Sequence, residues 1–145
     1  MIEGFLGSER FEVKVRLEGD KLLGRVGGAL MARDVKLDLT ATGVTGRVGG
    51  SNGFDVRLSL EGGELIGFVG NDPIAMRGVD VVVGTLGDGF SAQEFGARQS
   101  GSRLIGSIGG LLGKPFSLDL GQAPGWLGVL VVLVAFYALE KHKSA

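Results

Sequence analysis

Few residue types in this chain are suited to catalysis. The single histidine, His142, lies in a polar C-terminal tail, whereas a serine nucleophile needs a nearby base to take its proton. The chain has no cysteine, which excludes thiolate nucleophiles, thiolate metal sites and disulfides. Aspartates near expected turns and strand starts, such as Asp34 and Asp55, ordinarily shape those turns. We therefore expect no catalytic residue, no cofactor-binding residue and no metal ligand, and we predict that the protein is not an enzyme.

Three cations and one aromatic residue are the candidates for a binding surface. Arg25 and Arg47 occupy equivalent outward positions in a repeated pattern, and Lys36 lies on the strand between them. Cross-strand ion pairs explain such charges; a surface for a small anion or a lipid headgroup is the alternative. Trp126 opens a long apolar segment, where tryptophan either packs at the mouth of a barrel or anchors at a membrane interface.

Composition narrows the class of partner. The 145 residues predict one domain over 1–145. Fifteen basic and sixteen acidic residues leave no large basic field, so we expect no nucleic-acid partner. A protein or a lipid surface remains as the unidentified partner. The N-terminus lacks the basic start and apolar run of a secretory signal, which predicts a cytoplasmic location, with membrane association left open through residues 124–142.

A strand-turn-strand unit recurs along residues 11–120. In its first copy, residues 13–17 alternate between apolar and charged side chains, which is typical of a half-buried antiparallel strand. Gly19-Asp20 then predicts a two-residue hairpin turn. This turn places Leu17 opposite Leu22, so that Gly24 continues the inner face.

Further copies follow the same register. They begin at residues 35, 56 and 95. A fourth unit is predicted at 79–83, with Val79, Val81 and Val83 on the inner face and no clear second strand. With a strand around Ile2 to Leu6 and a last one at 116–120, the count is roughly ten to twelve strands, a size at which sheets curl or close.

Four glycines recur at the same inward position of this unit: Gly24, Gly46, Gly67 and Gly106. Glycine inside a strand marks a bend or a close approach by something else. Each strand therefore bends to curl the sheet, or an object lies against the inner face and needs room. The two explanations are compatible.

The C-terminal segment predicts a hydrophobic helix over 124–142. Residues 126–139 are apolar all the way round, and Pro124 suits the first turn. A helix without a polar face is buried in protein or in lipid. Spanning hydrocarbon takes about 20 residues, whereas runs of about 10–14 are more typical of buried helices. The length favours a central helix inside a soluble barrel, with a tail anchor as the alternative.

The layout resembles the tubby-like superfamily, which includes phospholipid scramblases and LURP-one-related proteins. The resemblance lies in the segment 106–120, in the apolar run from Trp126 to Leu139, and in the repeated pairing of a glycine-containing strand with an alternating strand over most of 11–139. It implies a meandering barrel wrapped around the C-terminal helix, and lipid or membrane association. It brings no ligand-binding residue, since no phosphoinositide or calcium motif matches.

The sequence thus predicts a mainly β protein, an antiparallel meander of hairpins that closes into a barrel around a hydrophobic C-terminal helix. The leading functional prediction is a non-enzymatic binding or structural domain, with lipid or membrane association among its options. One alternative is a tail-anchored membrane accessory or coat protein carrying a β-repeat domain. Another is a polymerising β-solenoid scaffold, because repeats of this length also suit a parallel β-helix.

Overall fold

Twelve strands and one α-helix make up the described part of the computed structural model, which covers residues 1–7, 11–27, 32–89, 92–110 and 113–140. The strands are β1 (Ile2–Leu6), β2 (Phe11–Glu18), β3 (Lys21–Gly27), β4 (Arg33–Thr40), β5 (Gly43–Val48), β6 (Phe54–Glu61), β7 (Glu64–Val69), β8 (Asp72–Arg77), β9 (Val81–Leu86), β10 (Gln93–Ser100), β11 (Arg103–Ile108) and β12 (Lys114–Asp119). The helix is α1 (Gly125–Glu140). Residues 141 and 142 of the predicted helix lie outside the described residues.

The strands form a closed barrel in chain order. Each strand pairs with the next, and β1 pairs with β12 to complete the ring. Because the ring is complete, no strand of the barrel is left as an open edge. The pairing is antiparallel throughout the described sheet. The predicted antiparallel meander and its closure are confirmed, and the parallel coils of a β-solenoid are not what the chain forms.

The described barrel is built from six equivalent strand pairs. We call all six hairpins, although only five of them have a connecting turn. Five follow one another from β2–β3 to β10–β11, and the sixth joins β12 to β1 from the other end of the sequence. In each hairpin the central inward residue of the first strand faces a glycine of the second. Val15 faces Gly24 in the first hairpin, and Leu118 faces Gly4 in the sixth. The structure thus adds Gly4 and Gly84 to the four inward glycines that the sequence predicts.

The sequence prediction for the fourth hairpin is wrong. Val79, Val81 and Val83 are 58%, 53% and 38% exposed, while Val82 is fully buried. The first strand of this hairpin is β8 and the second is β9. Val81 and Val83 lie in the second strand and face outward, whereas the sequence predicts them in the first strand and facing inward. Side chains alternate along a strand, hence a register error of one residue exchanges the faces. The sequence pattern does not indicate β8, because this strand contains Pro73 and proline is uncommon in sheet interiors.

The helix α1 fills the inside of the barrel. Residues 127–138 are buried on every side of the helix, and α1 contacts strands all round the ring, from β1–β3 to β7, β9 and β10. The sixteen residues of α1 span about 24 Å at about 1.5 Å per residue. The predicted central helix is confirmed. None of the helices formed by the described residues is both long and apolar enough to cross a bilayer.

The inward glycines let neighbouring strands approach closely. A Cβ at Gly24 would collide with the carbonyl oxygen of Lys14, and a Cβ at Gly46 with that of Lys36. The glycines whose Cβ would meet a carbonyl of the paired strand in this way are Gly4, Gly24, Gly46, Gly67, Gly84 and Gly106. The nearest atoms thus belong to the sheet and not to α1, which favours strand curling as the reason for these glycines.

Backbone hydrogen bonds extend the strand ladders at both rims of the barrel, between successive hairpins at one rim and within single hairpins at the other. We call the end with the hairpin turns and the start of α1 the turn rim, and the opposite end the loop rim. At the turn rim, the N–H of Leu39 donates to the carbonyl of Asp20 at 2.7 Å. At the loop rim, the N–H of Gly70 donates to the carbonyl of Asp55 at 2.8 Å. The turn-rim bonds tie one hairpin to the next, whereas the loop-rim bonds close the open end of a single hairpin.

Side chains hold α1 at both rims. At the turn rim, the N–H of Gly125 donates to Oε1 of Gln99 at 2.9 Å. At the loop rim, the hydroxyl of Tyr137 accepts a hydrogen bond from the N–H of Asn71 at 3.0 Å. The Tyr137 ring lies 4.6 Å from that of Phe54, centroid to centroid. The helix is therefore fixed along its axis as well as packed within the ring.

Candidate functional site

The inward leucines at the turn rim differ in exposure from one half of the ring to the other. The last inward residue of each first strand is equivalent in the six hairpins, yet Leu120 is fully buried whereas Leu17 and Leu60 are 41% and 55% exposed. The difference follows from the path of the chain into α1. A Cβ on Gly128 would touch the side chains of Leu120 and Leu104, so the start of the helix covers the β11–β12 side and leaves the opposite half open.

Gln99 marks the boundary between the covered and open halves. It occupies the position that holds leucine in the first three hairpins. Its Oε1 accepts from the Gly125 N–H, and its Nε2 donates to the carbonyl of Gly101 at 3.0 Å. Sequence reasoning places Gln99 on the inner face but does not assign this role. A polar residue at a leucine position of the repeat is the signal that indicates it.

The open half carries a row of apolar side chains on successive elements, which we call the rim crescent. It consists of side chains from consecutive hairpins and from the first turn of α1, namely Leu17, Leu39, Leu60, Val79 and Trp126. Val79 is 58% exposed, and Trp126 and Leu39 are partly buried against the core. Single exposed apolar residues are ordinary, but a contiguous group marks an interaction surface.

A cleft of about 470 Å³ lies at the part of the crescent formed by Leu60, Val79 and Trp126, and we call it the rim cleft. Its walls come from the β4–β5 and β6–β7 turns, the β8–β9 turn and the start of α1. The lining residues are Thr40, Ala41, Gly43, Val44, Leu60, Gly63, Leu65, Met76, Arg77, Gly78, Val79 and Trp126. The predicted site residue Trp126 is thus at the mouth of the barrel and is also part of an open cleft.

The three predicted cations lie elsewhere. Arg25 Nε is 2.9 Å from Asp34 Oδ1, and Arg47 Nη1 is 2.7 Å from Asp55 Oδ1. These are the cross-strand ion pairs that the sequence offered as one explanation. Lys36 is exposed and forms no ion pair with any described residue. Anion binding by this group remains a prediction.

The cations and Trp126 do not share a surface. Lys21 begins β3 at the turn rim, and Arg25, four residues further along, lies about 13 Å away at about 3.3 Å per residue. Arg25 and Arg47 therefore lie on the outer wall toward the loop rim. A flat partner that contacts Trp126 at the turn rim does not reach them.

The turn rim itself carries charges of both signs. Lys21 Nζ lies 2.7 Å from Asp38 Oδ1, and this hydrogen bond, together with the charge of Asp38, raises the pKa of Lys21 above its ordinary value of 10.5. Lys21 is consequently protonated at neutral pH, and its charge is balanced by Asp38. The rim near the crescent has no concentrated positive field from this residue.

Within the described ranges, no group of three or more histidine, cysteine, aspartate or glutamate side chains is placed to bind a metal ion. Comparison of the chain with protein-family models, with curated proteins and with solved structures returns no match. The rim crescent and the rim cleft are therefore the features of the molecule that bear on its function.

Proposed function

We propose that this protein is a non-enzymatic binding module that docks onto the surface of a lipid bilayer through the rim crescent. The observation that carries the proposal is the exposure of Leu17, Leu60 and Val79, at 41%, 55% and 58%, beside Trp126. The equivalent Leu120 is covered, so exposure is a property of this half of the rim and not of the repeat. Bringing these side chains into lipid removes apolar surface from water.

The presence of a tryptophan, Trp126, in the rim crescent supports a membrane surface as the partner. Tryptophan is enriched where an apolar environment meets water, because its ring is amphipathic. Trp126 lies in the first turn of α1 and lines the rim cleft together with Leu60, Leu65 and the turn residues Gly63 and Gly78. The tubby-like resemblance of the sequence supports the same proposal, since it implies lipid or membrane association.

The charge at the rim specifies how the binding should depend on salt. Lys21 is balanced by Asp38, and the outward cations Arg25 and Arg47 lie away from the turn rim and are paired. Arg77 and Arg103 are exposed at the turn rim and form no ion pair with a described residue, but phosphatidylcholine has no net charge, so apolar insertion is the main contribution to binding on such vesicles. We expect binding to vesicles of zwitterionic phosphatidylcholine that changes by less than about twofold between 50 and 300 mM salt, because screening acts on exposed charges and not on apolar burial.

Vesicle flotation of the full chain tests the proposal. The test variant is Leu60→Ser with Val79→Ser, and the matched control is Ile105→Ser, which removes a side chain 60% exposed on the outer wall of β11. We expect the test variant to bind at least about tenfold less, since each half-exposed apolar side chain contributes of order 1 kcal/mol on burial. The control should bind like the wild type.

Trp126 gives a second readout, because it is the only tryptophan. Its emission should shift to shorter wavelength when phosphatidylcholine vesicles are added, and brominated lipid should quench it. Failure of the wild-type chain to float, or equal losses in the rim and outer-wall variants, would refute docking by the crescent. A chain that ignores vesicles but self-associates through the rim would show that the surface serves protein contacts instead.

A further inference from the structure

The rim cleft has the chemistry of a site for one amphiphilic chain. Its volume of about 470 Å³ lies within the range of about 300–1,000 Å³ typical of small-molecule sites. Apolar side chains make most of its walls, including Val44, Leu65 and Met76. Sites of this kind combine apolar walls with a few polar groups that orient the ligand.

Arg77 supplies the polar group at the edge of the cleft. It ends β8, it is exposed, and it lines the cleft together with Val79 and Trp126. Arg77 also lines a neighbouring cleft on the outer wall together with Glu64 and Glu94, but it forms no ion pair with either or with any other described carboxylate. Its guanidinium is thus available to a ligand, whereas that of Arg47 is engaged by Asp55.

We infer that the rim cleft binds a single-chain amphiphile with an anionic headgroup, of which a free fatty acid is the simplest case. The carboxylate lies at Arg77, because a planar guanidinium matches a carboxylate with two parallel hydrogen bonds. The alkyl chain lies along Leu60 and Val79 toward Trp126. The inference rests on the proposed function for the use of this surface, but it needs no bilayer.

The test uses Trp126 emission to follow titration of the full chain with laurate, kept below its micelle concentration. Dodecanol, with the same chain length and no charge, is the paired probe. We expect laurate to bind about three- to tenfold more tightly than dodecanol, the range for a charge-assisted contact at a partly exposed site. Lauryl phosphate, with a phosphate in place of the carboxylate, should also bind more tightly than dodecanol. Its competition with laurate reports whether a phosphate-headed lipid binds the same Arg77 guanidinium.

Two arginine variants locate the headgroup. Arg77→Gln should remove the preference for laurate over dodecanol while leaving dodecanol binding unchanged, and Arg77→Lys should retain part of it. Arg103→Gln is the matched control, because Arg103 is also exposed at the turn rim and has no described ion pair, but it does not line the cleft. The preference should survive in this control.

The outcomes separate this inference from the proposed function. Equal preferences in the wild type and Arg77→Gln would overturn the assignment of the headgroup. No response of Trp126 to either amphiphile would overturn the cleft as a ligand site, even if the chain still floats with vesicles. Laurate binding without flotation would support the cleft and refute docking on a bilayer.

Discussion

At the scale of single residues, the inward glycines set the distance between strands. Each of them faces the carbonyl of its partner strand so closely that a methyl group has no space, and Phe95 and Phe116 lie over Gly84 and Gly106 where a side chain would otherwise stand. Gly96 is different, because it sits on the outer face of β10 and a Cβ there would meet atoms no nearer than 3.8 Å. The two kinds of glycine provide a direct comparison.

Gly46→Ala should lower the free energy of unfolding by at least about 1–3 kcal/mol, the usual cost of overpacking. Gly96→Ala should be neutral or should stabilise by about 0.5–1 kcal/mol, because alanine restricts the unfolded chain more than glycine does. Urea unfolding followed by circular dichroism measures both. Equal effects of the two substitutions would contradict the role given to the inward glycines.

A second residue-scale prediction concerns the contact that starts α1. Gln99→Leu restores the leucine of the repeat but leaves the Gly125 N–H without its acceptor, so we expect a loss of about 1 kcal/mol. Gln99→Glu keeps an oxygen at the same place and puts a negative charge at a helix N-terminus, which is favourable. The order of stability in urea should be Glu equal to or above wild type, then Leu. If the leucine variant is the most stable, the hydrogen bond has no stabilising role.

At the scale of elements, the local sequence pattern is enough to predict the strands and the strand registers of much of the barrel. The registers that place Leu17 opposite Leu22 and Leu60 opposite Leu65 are confirmed, because a two-residue turn fixes the pairing of a hairpin. The sequence does not predict the β8–β9 hairpin correctly. Its turn differs from the two-residue turns of the predicted hairpins, and Pro73 is atypical of a strand interior. The pairing of β1 with β12 joins distant segments, so no local pattern indicates it.

The helix is the element on which the barrel depends most. The inward side chains of the strands and all sides of α1 form one core cluster, so a chain ending at residue 123 would leave those side chains around an empty space. We expect this truncated chain to lack a cooperative thermal transition, and a synthetic peptide of residues 124–145 added to it to restore one. A truncated chain that unfolds cooperatively by itself would contradict this role.

At the scale of the whole molecule, the repeat is sixfold but its surface is not. The outer positions of the first three hairpins carry Lys14 and Arg25, then Lys36 and Arg47, then Arg57, whereas the equivalent positions in the remaining hairpins are uncharged. The rim crescent is asymmetric in the same way. Its location could not be read from the sequence, because leucine occupies the same inward position in Leu17, Leu39, Leu60 and Leu120 alike, and the path of the chain into α1 decides which of these leucines are covered.

The pairing of β1 with β12 has a consequence for biosynthesis. Of the strands of this barrel, β1 is synthesised first and β12 last, and α1, which fills the interior, is synthesised after both. During translation the growing sheet therefore has β1 as an unpaired edge and an uncovered apolar face, the two features that favour aggregation of nascent chains. Native assembly can be completed only once α1 has been synthesised and has left the ribosome, because the helix fills the ring and follows all of its strands in the chain.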